Sequence, residues 1–128
     1  MSIKVAIADD SASIRLTVRR FISAKTGWEI CGEAENGEAA LFLVQRHKPD
    51  VLILDLAMPV MNGLDAAWWI RIISPKTRIV LFTGHACEQV LREAKNVGIR
   101  AVIAKDRDAA LHRLIATLRE ETDSFQAA

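Results

Sequence analysis

The sequence predicts an α/β domain: an open, doubly wound (βα)5 parallel sheet of five strands, with helices on both faces. Three observations predict it. Five short apolar runs alternate with five stretches of helical periodicity. The connections between successive runs are too long for hairpins, so the strands run parallel through right-handed crossovers. The run Val51-Leu52-Ile53-Leu54 is apolar without interruption, as a strand covered on both faces must be.

The first strand is Lys4 to Ala8, and it ends at Asp9-Asp10. Ser11 is a natural helix N-cap, and a helix fits Ala12 to about Lys25, with Ile14, Val18, Phe21 and Ile22 on one face. Thr26-Gly27 stops it. Trp28 to Ala34 reads as a second strand nearer an edge, because Glu29 and Glu33 interrupt it. After the Asn36-Gly37 turn, a helix from Glu38 to about His47 buries Ala40, Leu43 and Val44. Pro49-Asp50 leads into the third strand, Val51 to Leu54, which delivers Asp55.

Pro59 and Asn62-Gly63 mark a loop, and Leu64, Ala67, Trp68 and Ile72 trace a third helical stripe that ends at Ser74-Pro75. The fourth strand, Arg78 to Phe82, delivers Thr83-Gly84. A helix from about Glu88 to Asn96 buries Val90, Leu91 and Ala94, and Gly98 stands where a left-handed C-terminal residue is wanted. The fifth strand, Ala101 to Ala104, ends at Lys105. A last helix, from about Asp108 to Glu120, buries Leu111, Leu114, Ile115 and Leu118. One domain is expected over residues 1–121, with 122–128 as a flexible tail lacking periodicity.

The totals bound the function. A chain of 128 residues, 51% hydrophobic, suits one compact domain with a substantial core. Seventeen basic against sixteen acidic residues leave a net charge of +1, which gives no global drive toward nucleic acid or an anionic membrane. No apolar run approaches the roughly 20 residues needed to span a bilayer. The N-terminus enters a strand pattern directly, so a cytoplasmic location is expected. Cys31 and Cys87 match no metal or redox spacing and read as small semi-buried thiols in a reduced compartment.

The strand ends carry the chemistry. In a parallel sheet the carboxyl ends of the strands open on one rim, where ligands bind. That rim receives Asp9 and Asp10, Asp55, Thr83 and Lys105, far apart in sequence. Each signal alone is weak: Asp55 could be a solvated loop residue, and Lys105-Asp106 a surface ion pair. Together they are specific. Three adjacent carboxylates repel, a hard divalent cation such as Mg²⁺ relieves the repulsion, and lysine and threonine can contact an incoming anion. A phosphoryl group fits, with Asp55 as the carboxylate nucleophile that accepts it.

Asp9-Asp10-Ser11, Asp55-Leu56-Ala57-Met58-Pro59-Val60-Met61-Asn62-Gly63, Thr83-Gly84 and Lys105-Asp106 together resemble the receiver domain of two-component response regulators. The resemblance runs from about Ile3 to Leu118. It implies a flavodoxin-like strand order, 2-1-3-4-5. It also implies that Asp55 takes a phosphoryl group from a histidine kinase or His-phosphotransfer protein. Asp10, Asp55 and the Ala57 carbonyl would bind Mg²⁺ directly, with Mn²⁺ as a substitute, and Asp9 through water. Lys105 would pair with the phosphoryl group, Thr83 would swing to hydrogen-bond it, and Gly63 would keep the loop close and flexible. Such a domain is a switch with self-catalysed phosphotransfer and weak autodephosphorylation rather than a turnover enzyme.

By the same resemblance, output runs through the face made by the fourth helix, fifth strand and fifth helix. Gln89, Arg92, Glu93, Asn96 and Arg100 are contact candidates there, with plain surface as the alternative. The partner is a fused domain or a separate protein, homodimerisation on phosphorylation is left open, and neither nucleic acid nor membrane is expected to bind this segment. The sequence departs from the family pattern in three places. Val102 stands where many members have an aromatic residue that turns inward with the threonine, and its branched side chain has few rotamers. Asp106 replaces the common proline, as in receivers usually fused to helix-turn-helix domains. Ala57 and His85 occupy the positions that tune dephosphorylation.

Two other function classes compete with this reading. An aspartate-nucleophile phosphohydrolase needs a second acid two residues after the nucleophile, where this chain has Ala57. A degenerate receiver that only binds is opposed by the complete set of five rim residues. Trp68 and Trp69 read either as one buried and one partly exposed ring, or as a contact patch for a partner or second subunit. Arg15, Arg19 and Arg20 read as a solvated helix face rather than a phosphate site.

Overall fold

The computed structural model describes residues 2–106 and 109–127, with side chains through 123. In chain order the elements are β1 (Lys4–Ala8), α1 (Ala12–Thr26), β2 (Glu29–Ala34), α2 (Gly37–His47), β3 (Val51–Leu54), α3 (Gly63–Ile73), β4 (Arg78–Thr83), α4 (Glu88–Asn96), β5 (Ala101–Ala104) and α5 (Ala110–Ala127). The five strands are parallel and lie in the order β2-β1-β3-β4-β5. That is the architecture the alternating pattern predicts, with β2 on the expected edge.

Side-chain alternation divides the core in two. Val5 and Ile7 of β1 and Val51 and Ile53 of β3 pack with Val18 and Ile22 of α1 and Leu114, Ile115 and Leu118 of α5. The alternate residues Ala6, Ala8, Leu52 and Leu54 pack with Ala40 and Val44 of α2, Ala66, Ala67 and Ile70 of α3, and Val90 and Ala94 of α4. Local signals place the helices. Ser11, Asn36 and Asn62 each accept a backbone N–H from the first turn of α1, α2 and α3. Gly27, at φ 71°, ends α1 in the left-handed region.

Four expectations need correction. The buried side of α3 is Ala66, Ala67 and Ile70, while Trp68 and Trp69 are each 47% exposed and Ile72 is 56% exposed. Small residues let α3 lie close to the sheet, and the bulky ones are left outside. Leu91 of α4 is half exposed rather than buried. Cys87 is exposed, and only Cys31 is partly buried. The last helix continues past Glu120 to Ala127, through the stretch read as a tail. Thr122 is buried there and its hydroxyl donates to the Leu118 carbonyl at 2.8 Å, while Glu121 pairs with Arg78 and Arg100. Polar anchors extend a helix whose apolar period has stopped. Asp108, the expected start of that helix, lies outside the described residues.

Candidate functional site

The carboxyl ends of β1, β3, β4 and β5 form one rim. Asp9 follows β1 and is held by three hydrogen bonds. Its N–H donates to the Ala34 carbonyl at 3.0 Å, its Oδ1 accepts from Ser11 N at 2.9 Å, and its carbonyl accepts from Arg15 Nη1 at 2.6 Å. Asp55 follows β3. Its N–H donates to the Ala8 carbonyl at 2.9 Å, which locks it beside β1, and its Oδ1 accepts from Leu56 N at 2.8 Å. Asp9 and Asp55 are buried whereas Asp10 is exposed. One carboxylate oxygen from each of Asp9, Asp10 and Asp55 falls within 4.8 Å of the others.

Lys105 closes the cluster from β5. Its Nζ lies 2.6 Å from Asp9 Oδ2 and 3.3 Å from Asp55 Oδ2, and 5.8 Å above the Phe82 ring. Its backbone N–H donates to the Thr83 carbonyl at 2.9 Å, which fixes the end of β5 against the end of β4. Burial and the neighbouring Asp9 charge push the Asp55 carboxyl above its ordinary pKa, against the opposing pull of Lys105 and the Leu56 N–H. The site thus holds a charge that burial and Asp9 disfavour and a cation offsets.

Thr83 ends β4 on the same rim, fully buried, with its hydroxyl accepting from His85 N at 3.1 Å. Among the described residues no hydrogen bond joins it to Asp55. Ala57 lies exposed in the loop two residues beyond Asp55. So Asp9, Asp10, Asp55 and Lys105 converge as the strand ends predict, while Thr83 joins them through the Lys105 backbone and Ala57 follows Asp55 in the loop.

The loop after β3 depends on two glycines. A Cβ on Gly63 would lie 2.1 Å from the Asp55 carbonyl oxygen, and one on Gly37 would lie 2.3 Å from that of Met61. Gly63 N donates to the Leu56 carbonyl at 2.8 Å and Gly37 N to the Met61 carbonyl at 3.0 Å, so α2 and α3 clamp the loop from both sides. The position of Gly63 could be read from the sequence; the role of Gly37 could not, because it sits in a helix distant in the chain. Arg15 was also missed as a site neighbour. It reaches the Asp9 carbonyl while its Nε pairs with Glu33 at 3.1 Å, and Arg19 shares that glutamate. Its place on the first turn after Asp9-Asp10 was the available signal.

The response regulator receiver domain model matches residues 5–119. Over 105 residues the chain is 35% identical to the chemotaxis protein CheY of Thermotoga maritima, covering 82% of this chain and 87% of that protein. It is 36% identical over 139 residues to the uncharacterized transcriptional regulatory protein YxjL of Bacillus subtilis, covering 98% of this chain but 64% of that regulator. The solved receiver domain of AraT, a response regulator from Geobacillus stearothermophilus, superimposes with a TM-score of 0.85 at 35% identity, covering 98% of this chain and 99% of that one. The chain belongs to the response regulator receiver domains, the phosphoacceptor modules of two-component signalling. No helix among the described residues is long and apolar enough to cross a membrane.

Proposed function

We propose that Asp55 is the phosphoacceptor and that Lys105, Asp9, Asp10 and Thr83 serve the transfer. The single observation that carries this reading is the Lys105 ammonium set between Asp9 and Asp55 at 2.6 and 3.3 Å within a three-carboxylate cluster. An Asp55 carboxylate oxygen attacks the phosphorus of a phosphohistidine on a histidine kinase or phosphotransfer protein. The new O–P bond forms as the P–N bond breaks, and the imidazole departs with the electron pair and takes up a proton. Lys105 offsets negative charge on the transferred group, and the Thr83 hydroxyl, released from His85 N, donates to one of its oxygens.

The donor set fits a divalent cation. One oxygen from each of three hard carboxylates lies within 4.8 Å of the others, a set suited to Mg²⁺ with Mn²⁺ as a substitute, and the Ala57 carbonyl, two residues beyond Asp55, would complete it. Asp10 and Asp55 would bind it directly and Asp9 through water. When bound, such an ion neutralises the phosphoryl oxygens. Output would pass through the α4–β5–α5 face. A hollow of about 460 Å³ there, lined by Leu91, Ala94, Ile99, Val102 and Glu121, supports a docking role for a fused domain or partner protein.

The test is labelling by radioactive acetyl phosphate with Mg²⁺. The wild-type chain takes up one acid-stable, base-labile phosphoryl group, and Asp55→Asn takes up none. Unchanged labelling of that variant would overturn the assignment.

A further inference from the structure

The α2–α3 face keeps large apolar side chains in solvent. Phe42 on α2 is 65% exposed, and Trp68, Trp69 and Ile72 on α3 are 47%, 47% and 56% exposed. Clusters of this kind mark interaction sites, and tryptophan is the residue type most often at their energetic centre. The two indole rings meet edge to face, 4.9 Å apart at 87°.

The charges around this patch are sorted by end. α2 and α3 run the same way: Gly37 N bonds the Met61 carbonyl where both helices begin, and Lys48 Nζ bonds the Ile73 carbonyl where both end. Glu38 and Asp65 lie in the first turns, while Arg46 and Arg71 lie in the last turns. All four are exposed, and Arg71 also donates from Nη1 to the Asn96 carbonyl at the end of α4, 3.2 Å away. The face is therefore acidic at one end, apolar in the middle and basic at the other. A surface of that kind is complementary to itself turned through 180°. A uniformly acidic or basic partner would be attracted at one end and repelled at the other.

We infer that this face joins two copies of the chain in an antiparallel, two-fold symmetric dimer. Trp68 and Trp69 of both copies meet at the axis, and Glu38 and Asp65 of each copy face Arg46 and Arg71 of the other, as an isologous contact requires. Helices of about 16 Å, packed two abreast, give a patch at the small end of specific interfaces. The association is accordingly weak and concentration-dependent. It does not use Asp55, and it meets α4 only where Arg71 Nη1 donates to the Asn96 carbonyl.

Analytical ultracentrifugation of the 128-residue chain, without a phosphoryl donor, tests this directly. The expected result is a mass rising from monomer toward dimer between micromolar and millimolar concentration. Trp68→Glu, at an exposed position, weakens the association at least about tenfold. Glu38→Arg with Asp65→Arg, and separately Arg46→Glu with Arg71→Glu, give two monomeric variants whose equimolar mixture dimerises again. A misfolded variant would not be rescued by mixing. A wild-type chain that stays monomeric throughout, a dimer indifferent to Trp68→Glu, or a mixture that fails to associate would each overturn the inference.

Discussion

Lys105 is bonded more closely to Asp9 than to Asp55, at 2.6 Å against 3.3 Å. The ammonium therefore occupies part of the carboxylate surface that a divalent cation would use. Two cations compete for Asp9, and the metal would free the lysine toward Asp55. Lys105→Met keeps the length of the side chain and removes the charge. Calorimetric titration should show Mg²⁺ binding several-fold more tightly to this variant. Labelling by acetyl phosphate should nonetheless slow by about 100-fold, because the charge that stabilises the transferring group is gone. Weaker Mg²⁺ binding would refute the competition.

Asp55 carries a pH dependence whose sign follows from its environment. Burial, then the Asp9 charge, raise its pKa, so the folded chain holds this proton to higher pH than the unfolded chain does. Its contribution to stability is thus fully present below the unfolded pKa and is lost as pH rises through the folded one. In chelator at neutral pH, Asp55→Asn should unfold at a higher urea concentration than the wild type. The gap should shrink on acidification and on adding Mg²⁺. A gap that widens in acid would reverse the assigned sign.

Most of this site was legible because a parallel sheet sends every strand end to one rim. Five parallel strands are enough to bring Asp9, Asp10, Asp55 and Lys105 together, with Thr83 beside Lys105 at the end of β4. The helices were less legible. Periodicity ranks residues by bulk, so Trp68 and Ile72 read as core, yet the closeness of α3 to the sheet is set by Ala66 and Ala67. Leu91 fails for the same reason, since a nine-residue α4 buries only Val90 and Ala94. Contacts that cross between elements, such as Arg15 to the Asp9 carbonyl or Gly37 to Met61, leave no periodic trace at all.

The glycine contacts predict a graded series. A methyl group at Gly63 would meet the Asp55 carbonyl oxygen at 2.1 Å, and at Gly37 the Met61 carbonyl oxygen at 2.3 Å; both obstacles are backbone. Gly63→Ala and Gly37→Ala should each lower stability by about 2 kcal/mol and displace the loop that carries Ala57. Gly84 borders the same site but has nothing within 4 Å of a built Cβ. Gly84→Ala should stay within about 0.5 kcal/mol of wild type. Chemical denaturation separates the three, and equal losses at all three positions would contradict the packing argument.

Val60 sits in the same loop at φ 70°, where a β-branched residue is strained, and it is 75% exposed. Met61 N donates to the Pro59 carbonyl at 2.7 Å, closing a tight turn around it. Nothing in the packing compensates, because the side chain lies in solvent. Asparagine tolerates this backbone region without the unfolded-state entropy that glycine adds. Val60→Asn should therefore raise stability by about 1 kcal/mol, and Val60→Gly by less, since glycine returns part of the gain to the unfolded chain. If denaturant midpoints for both variants fall at or below wild type, the turn draws support from Val60 that its exposure does not reveal. A gain in stability with slower Asp55 labelling would mean that the strain holds the loop in its reactive position.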